Sequence, residues 1–586
     1  MGQHPLSLAR RYRPAWLRRP TPTGAWNSLL TVAAVVVTVV LGWQQRWISD
    51  DGLIVLRTVR QLLAGNGPVF NIGERVEANT SSAWTAVLAV AGMLPGVQLE
   101  AASLMVGLGC AAAGFGLGVD AARRLHLPTG GAVLLPAGAA VLLALPPTRE
   151  FLTSGLETGL ITLWLAGSWW LLVRVARGAR AGPQPWLAAV VLGAGPLVRP
   201  DLGIFAVVGL LALVALLRPR LLRLLALAGA AAVLPVGYEI FRAGYYGLLV
   251  PNTALAKEAS GQRWGQGVLY LQDTVATYWL WVPLAVSLLA LAALLLRGTN
   301  GWADRWATVL VAAVPVLAGL LMALFVVRVG GDFMHGRMLL PAITALLLPV
   351  FALPLTRWTL LPLVAVAAWT WVCVAALHVE YGSQISATTG IVDEREFWSH
   401  YLEVKHPVRA VEFIAVNGTV RTSVAAVEHA QSPAVMMLQG GLAYSYWRAF
   451  PARTDVGHIT ISYLNLGMMA AAHPLDVRVV DSVGLANPIG AHATAIFGGR
   501  VGHDKDLPLA WYVADEVPRG TKTPVAFPSD VPYARAALQC PAIAEMLDSV
   551  RAPLTAQRFW DNLFGAPART ELRYSRIPQR AAACDS

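Results

Sequence analysis

The sequence has 586 residues, of which 56% are hydrophobic and only 13% are charged, and its mean hydropathy is +0.55. This composition excludes a soluble enzyme and indicates an α-helical polytopic membrane protein. The net charge of +11 does not indicate nucleic-acid binding, because the arginines stand in short clusters between apolar segments and no long basic tract is interleaved with aromatic residues.

The first apolar segment, residues 29–42, is apolar enough to cross a bilayer and is not followed by a small-residue cleavage site. We therefore predict an uncleaved first transmembrane helix with its N-terminus in the cytoplasm. The segment is preceded by a basic cluster that contains Arg10, Arg11, Arg13, Arg18 and Arg19.

The first outer loop, residues 47–100, begins with two adjacent carboxylates, Asp50 and Asp51. Over residues 52–64 the apolar side chains recur at helical spacing and Arg57 and Arg60 fall elsewhere, which predicts an amphipathic helix lying on the membrane surface. The loop thus holds an acidic pair at the membrane surface. The simpler alternative is that one of the two aspartates only caps the helix.

The arginine clusters allow the remaining spans to be counted. Residues 83–94 are shorter than the roughly 20 residues that a bilayer requires, and counting them as a span would place every later cluster outside the cytoplasm. Without them the sequence predicts about eleven spans with all clusters in the cytoplasm. The predicted spans are residues 29–42, 101–119, 131–145, 159–175, 186–198, 202–217, 224–238, 279–296, 306–327, 339–355 and 358–377.

The composition changes at residue 378, which divides the chain into a transmembrane domain, residues 1–377, and a C-terminal extracytoplasmic domain, residues 378–586. Alternating runs at 458–463 and 477–480 predict strands and residues 409–416 predict a helix, so we expect a mixed α/β domain.

Two cysteines, Cys540 and Cys584, lie in this domain, where an oxidising compartment favours a disulfide. Two free thiols are the alternative. Cys110 and Cys373 fall in predicted spans, where a free cysteine behaves as a small apolar residue.

The other polar residues that suggest chemistry also lie in predicted outer loops. A lipid phosphate donor and a sugar acceptor would require cations for the leaving phosphate and a carboxylate for a hydroxyl proton. Several of them have structural alternatives. These are capping of the following span by Glu157, an ion pair between Arg199 and Asp201, and a Lys257 side chain that extends along the membrane to reach water.

Several motifs, in order, resemble polytopic glycosyltransferases of the C superfamily (GT-C) that use polyprenyl-phosphate sugars. They are DDGLIVLR (50–57), GNGPVFNIGERVEANT (65–80), SGLET (154–158), RPD (199–201), YYGLLVPNTALAK (245–257) and GGDFMHGRMLLP (330–341). The runs DSVGLANP (481–488), GHDKDLPLAWYVAD (502–515) and RFWDNLFGAPARTELRYSRIP (558–578) are similar to the arabinofuranosyltransferase B family of actinobacteria.

This resemblance implies a GT-C type fold in the plasma membrane, with decaprenyl-phosphoryl-arabinofuranose as the donor lipid. The acceptor would be the termini of cell-wall arabinan, in arabinogalactan and lipoarabinomannan, extended through a β(1→2) linkage. The catalytic carboxylates would be Asp50 and Asp51. The expected donor-binding residues are Lys257, His335, Arg337, Arg199, Asp332, Asn252, Tyr246 and Glu157.

Three other functions are compatible with part of the pattern. A mannosyltransferase or other polyprenyl-phosphate sugar transferase would share the same motifs. A transporter would need ionisable groups at mid-membrane, where the predicted spans contain almost none. A non-catalytic cell-wall assembly protein would have no need of the acidic pair. The sequence holds no His/Cys cluster with metal-ligand spacing, and we predict no metal or other cofactor.

Overall fold

The computed structural model describes residues 22–126, 131–180, 182–258, 261–297, 302–441, 444–496, 498–522 and 529–584. The basic cluster at residues 10–19 and the terminal residue Ser586 lie outside these ranges. Within them, six helices are long and apolar enough to cross a membrane, and a seventh candidate is a pair of helices that meet at an angle of 81°. These are Pro22–Gln44, Leu99–His126, Thr158–Ala176, Pro200–Leu217, Leu221–Tyr246, Arg305–Val329 and the pair Trp264–Thr277 and Trp281–Leu296.

Shorter helices pack against these long helices. They are Gly138–Ala144, Pro146–Phe151, Gln184–Gly193, Gly195–Val198, Arg337–Val350 and Leu360–Ala376. Two three-residue strands, Leu134–Pro136 and Ala352–Pro354, form an antiparallel pair. The coarse prediction of a polytopic helical membrane protein is therefore confirmed.

The basic clusters meet at one end of the helical region. Helix Pro22–Gln44 begins at this end, where Asn27 bonds with Ala132 and Leu134, and its other end leads into the first outer loop. The contacts that join the clusters are Arg177 with the carbonyls of Arg124 and Leu125, Arg223 with that of Arg180, Arg218 over the Trp306 ring, and Arg297 over the Trp358 ring. The clusters that sequence analysis placed on one side of the membrane are thus also adjacent in space.

The first outer loop contains two helices, Asp50–Leu63 and Ser82–Gly92. The second was predicted as a short non-spanning helix. The first was predicted as an amphipathic helix on the membrane surface with Arg57 and Arg60 away from its apolar side, but Arg57 is completely buried. Its guanidinium donates to the carbonyl oxygens of Ala470, His473, Pro474, Leu475 and Val477.

The C-terminal domain is a mixed α/β unit, as predicted. In its described part, a sheet runs in the order Tyr444–Pro451, Ala434–Gly441, Ile459–Ser462, Arg478–Val480. The first two strands form an antiparallel hairpin, which sequence analysis missed, and the other pairings are parallel. The helices are Glu394–Tyr401, Ala410–Val416, Gly418–His429, Leu466–Ala472, Pro488–His492, Leu509–Glu516, Val531–Ala537, Pro541–Arg551, Ala556–Glu571 and Pro578–Ala581.

The predicted disulfide is present between Cys540 and Cys584, and Cys110 and Cys373 are free. One hydrophobic core cluster contains Leu56 and Trp84 of the first outer loop together with Phe413, Ile461 and Met469 of the C-terminal domain. The outer loop is therefore packed into the core of that domain, and this packing positions the residues described next.

Candidate active site

A cavity of about 230 Å³ lies where the first outer loop, the ends of several apolar helices and the C-terminal domain meet. Its wall is apolar on the side of helix Trp302–Val329, where Phe325 and Val329 contribute. Its charged lining residues are Asp51, Glu157, Arg199, Asp201, Lys257, Asp332 and Arg337. Six of the residues predicted for the site, Asp51, Glu157, Arg199, Lys257, Asp332 and Arg337, therefore line one cavity.

Asp51 is the carboxylate that faces two cations across this cavity. Its Oδ2 lies 3.7 Å from Nζ of Lys257 and 3.6 Å from a terminal nitrogen of Arg337. Burial opposes ionisation of Asp51, but Lys257 and Arg337 outweigh it and hold the pKa of this carboxyl below its usual value. Asp51 is thus an anion at neutral pH, in loose contact with both cations.

Arg337 is fixed in place by a second carboxylate. Its Nε donates to Oδ2 of Asp332 at 2.7 Å, and both side chains are largely buried. The loop between them contains Gly336, whose φ of 66° is in the left-handed region that favours glycine. One terminal nitrogen of Arg337 therefore remains directed toward Asp51.

Asp50 does not line the cavity. Its carboxylate accepts hydrogen bonds from the backbone N–H groups of Gly467 at 3.2 Å and Met468 at 2.7 Å, which lie in the first turn of helix Leu466–Ala472. Burial raises the pKa of Asp50 to about 7, although these two hydrogen bonds oppose the shift. The alternative that one of the aspartates caps its own helix is wrong, because Ser49 caps helix Asp50–Leu63 and Asp50 binds a helix of the C-terminal domain instead.

The loop that carries Lys257 is held by a turn of the C-terminal domain. Asn252, a predicted donor-binding residue, donates instead through its side chain to the carbonyls of Gly484 and Leu485. The carboxylate of Asp481 accepts from the backbone N–H groups of Gly484, Leu485 and Ala486 and so shapes that turn. The DSVGLANP run thus positions the Lys257 loop through Asn252.

Arg199 and Glu157 line the cavity at the starts of two apolar helices. Arg199 makes two hydrogen bonds of 2.6 Å with Asp201, so the pairing considered from sequence is present beside the cavity. Glu157 stands at the N-cap position of helix Thr158–Ala176, but its side chain makes no capping hydrogen bond. Its carboxylate is therefore available to the cavity.

Two further predicted donor-binding residues, like Asn252, do not line the cavity. The ring nitrogens of His335 contact Asp273 at 2.5 Å and the Tyr278 hydroxyl at 3.0 Å, and the side chain is buried. The hydroxyl of Tyr246 donates to the carbonyl of Pro68 at 2.7 Å. Both side chains turn into the protein because buried partners satisfy their polar atoms there.

Sequence reasoning missed the contribution of the C-terminal domain to the cavity wall. Val501 and Gly502 line it, and the loop that carries them is clamped by an Arg263–Asp504 ion pair and by Lys505, whose Nζ lies 2.7 Å from Oε1 of Glu258. The sequence signal for this loop was the run GHDKD. It resembles a family motif, but the sequence did not show that it lies beside the cavity.

A second missed residue is Glu394, at the start of helix Glu394–Tyr401. Burial and the nearby Asp51 raise the pKa of the Glu394 carboxyl well above its usual value. Within the described residues no group of three or more His, Cys, Asp or Glu side chains could hold a metal ion.

Comparison with known proteins agrees with this arrangement. Residues 424–575 match the C-terminal domain of the AftB family. The chain is 39% identical to the terminal β-(1→2)-arabinofuranosyltransferase of Mycobacterium tuberculosis, over 94% of this chain and 96% of that protein. It is 37% identical to the protein of the same name from Corynebacterium glutamicum, over 93% and 85% of the two chains. No solved structure matches significantly. The chain therefore belongs to the family of terminal β-(1→2)-arabinofuranosyltransferases.

Proposed function

We propose that this protein transfers arabinofuranose from decaprenyl-phosphoryl-arabinofuranose to the termini of cell-wall arabinan, forming β(1→2) linkages. The observation that carries the proposal is the convergence of Asp51, Lys257 and Arg337 on one cavity, since a lipid-phosphate sugar requires cations for its phosphate and a carboxylate for the reacting sugars. The family membership supports arabinofuranose as the sugar.

In the proposed reaction the bond between the anomeric carbon and the phosphate oxygen breaks, and the phosphate leaves with the electron pair. The acceptor hydroxyl oxygen forms the new bond and loses its proton. Lys257 and Arg337 stabilise the leaving phosphate, and Asp51 contacts the reacting sugars. Asp51 can act there as the base for the hydroxyl proton or as the nucleophile of a two-step reaction.

The loose ion pairs of Asp51 suit this division of roles. Distances of 3.6 and 3.7 Å exceed those of a good charge-assisted hydrogen bond. A donor phosphate would therefore compete well for Lys257 and Arg337. Once the cations are engaged with the phosphate, Asp51 loses part of its stabilisation and becomes a better base or nucleophile.

The apolar side of the cavity is suited to the first units of the lipid chain. Phe325 and Val329 line it, and Leu321 and Leu324 of the same helix are exposed on the outside of the helical region. We propose that the polyprenyl chain leaves the cavity along this helix into the bilayer, which keeps its phosphate beside Lys257 and Arg337.

Lys257→Ala should weaken binding of the donor lipid by about 1–3 kcal/mol, the value of a hydrogen bond to a charged group. Lys257 is the better cation to remove, because truncating Arg337 would also leave the buried Asp332 unpaired. The measurement is a donor-binding isotherm on purified protein, with Lys522→Ala as the matched control at an exposed position. Donor binding at wild-type strength in Lys257→Ala would contradict the assignment.

We further propose eleven membrane crossings of GT-C type, with the N-terminus cytoplasmic and the C-terminal domain outside. The seven long candidates account for seven crossings. Four shorter apolar segments account for the others: the helices within 138–151, Gln184–Gly193, Arg337–Val350 and Leu360–Ala376. The common end of the arginine clusters supports this orientation.

Cysteine labelling in intact cells tests the orientation. In a Cys110→Ala, Cys373→Ala background, Asp455→Cys in the C-terminal domain should react with a membrane-impermeant maleimide without permeabilisation. Arg220→Cys, at the basic end, should react only after permeabilisation. Both residues are exposed, so access to the reagent depends on the side of the membrane. The reverse pattern would refute the proposed topology.

A further inference from the structure

Helix Ala556–Glu571 of the C-terminal domain packs on the outer end of the candidate span Leu221–Tyr246. The Phe559 ring fills the space that a side chain at Gly244 would need, and the Asn562 amide donates to the carbonyl of Gly244 at 3.2 Å. Nε of Arg569 donates to the carbonyl of Gly247 at 3.0 Å. These contacts fix where helix Ala556–Glu571 sits along the axis of the span.

The end of the span that receives this helix has the composition of a membrane surface. Tyr238, Phe241 and Tyr245 form an aromatic cluster, with ring centroids 5.7 and 5.0 Å apart along the series. Aromatic rings with polar groups concentrate at the headgroup level of bilayers. Val236 and Ile240 of the same span are exposed, as lipid-facing residues are. Gly244 therefore lies close to the headgroup level.

Two large apolar side chains of helix Ala556–Glu571 are exposed at this level. Trp560 is 53% exposed and Phe564, one turn later, is 78% exposed, and their rings stack at 6.0 Å. Trp560 also contacts the ring of Phe559, so the pair is continuous with the packed interface. Leaving such a pair in water would forfeit a large amount of burial energy.

The remaining surface of the helix is polar. Asp561 is exposed beside Phe564, and on the side of the helix away from Trp560 the Arg558 side chain pairs with Glu545 and with the exposed Asp548 of the preceding helix. A helix with one aromatic stripe and one charged side is the type that lies in a membrane interface. The stripe belongs to the run 558–578, which the proposed reaction does not use.

We propose that Trp560 and Phe564 insert into the headgroup region of the outer leaflet, so that helix Ala556–Glu571 anchors the C-terminal domain to the lipid surface. The proposal rests on the outside location of the domain given above, and it assigns a lipid bilayer, not a protein, as the partner of this surface.

This anchor is connected to the cavity through the span on which it packs. Tyr238 and Arg242 of that span bind Glu77 at 2.6 and 2.7 Å. Glu77 directly precedes residues 78–81, which line the cavity, and its carbonyl accepts from the backbone N–H of Asn252. Anchoring helix Ala556–Glu571 in the lipid surface therefore restrains the position of the C-terminal domain, and of its loops at the cavity, relative to the membrane.

Spin-label accessibility in liposomes tests the proposal. Phe564→Cys and, as the control on the charged side, Asp548→Cys, whose native carboxylate is exposed and pairs with Arg558, are labelled with a nitroxide in the Cys110→Ala, Cys373→Ala background. We expect the label at 564 to be more accessible to oxygen, which concentrates in lipid, than to a water-soluble nickel chelate. The label at 548 should show the opposite preference. This measurement reports contact with lipid and not the side of the membrane, so its failure is distinct from failure of the topology.

Two results would overturn the proposal. The first is preferential access of the nickel chelate at both positions, which would place the pair in water. The second is loss of access to both reagents at 564, relieved when the protein is diluted in lipid, which would indicate a second copy of the chain as the partner. Retained sugar transfer by the labelled proteins shows that they are folded.

Discussion

Asp51→Asn should lower the rate of arabinofuranosyl transfer by about 100- to 10,000-fold, the usual contribution of a positioned acid–base group. Asparagine preserves the shape of the side chain but can neither accept the hydroxyl proton nor attack the anomeric carbon. Donor binding should be retained or become tighter, because Lys257 and Arg337 lose the anion that now competes with the phosphate. Single-turnover transfer and donor binding measured on the same preparation test both statements.

Asp50→Asn is the matched control for that experiment. The Asp50 carboxylate binds two backbone amides and does not line the cavity, so its replacement should leave most of the transfer activity. It should destabilise the protein by about 1–3 kcal/mol, because an amide group cannot satisfy both N–H donors. A folded but inactive Asp50→Asn protein, together with an active Asp51→Asn protein, would reverse the proposed roles. Isolation of a covalent sugar–enzyme adduct at Asp51 would identify it as the nucleophile.

Glu74→Ala should cause the largest loss of stability, about 3–5 kcal/mol, as expected when one partner of a buried ion pair is removed. Glu74 is 3% exposed and binds Arg478 at 3.1 Å and Arg551 at 2.9 Å. Arg478 also pairs with Glu516, and Arg551 with Asp515. Through this network the first outer loop is bound to the sheet and to helix Pro541–Arg551.

The thermal unfolding midpoint of the purified protein measures this effect. The control is Asp455→Ala, which removes the carboxylate of an exposed pair with Arg453 and should leave the midpoint almost unchanged. An unchanged midpoint in Glu74→Ala would mean that the ion-pair network contributes little net stability, as happens when the desolvation of the charges offsets their attraction.

Much of the architecture followed from the sequence because it depends on features that act over short stretches. Apolar segments, the positions of arginine clusters and the number of cysteines each respond to the local environment, whether lipid, cytoplasm or an oxidising compartment. The polytopic helical class, the mixed α/β domain, the short helix Ser82–Gly92 and the Cys540–Cys584 disulfide were predicted on this basis. The grouping of Lys257, Asp332 and Arg337 in one cavity also followed, since loops on one side of a membrane can converge.

Only the tertiary structure decided what each polar side chain contacts. Asp50 and Asp51 are adjacent in the chain, but successive side chains on a helix point about 100° apart. One therefore reaches the cavity and the other reaches amides 417 residues later in the sequence. For the same reason helical periodicity placed Arg57 away from the apolar side of its helix. It did not show that the carbonyl groups of residues 470–477 bind the Arg57 side chain. Local patterns determine the direction of a side chain along its own helix, whereas its partner depends on the packing of distant segments.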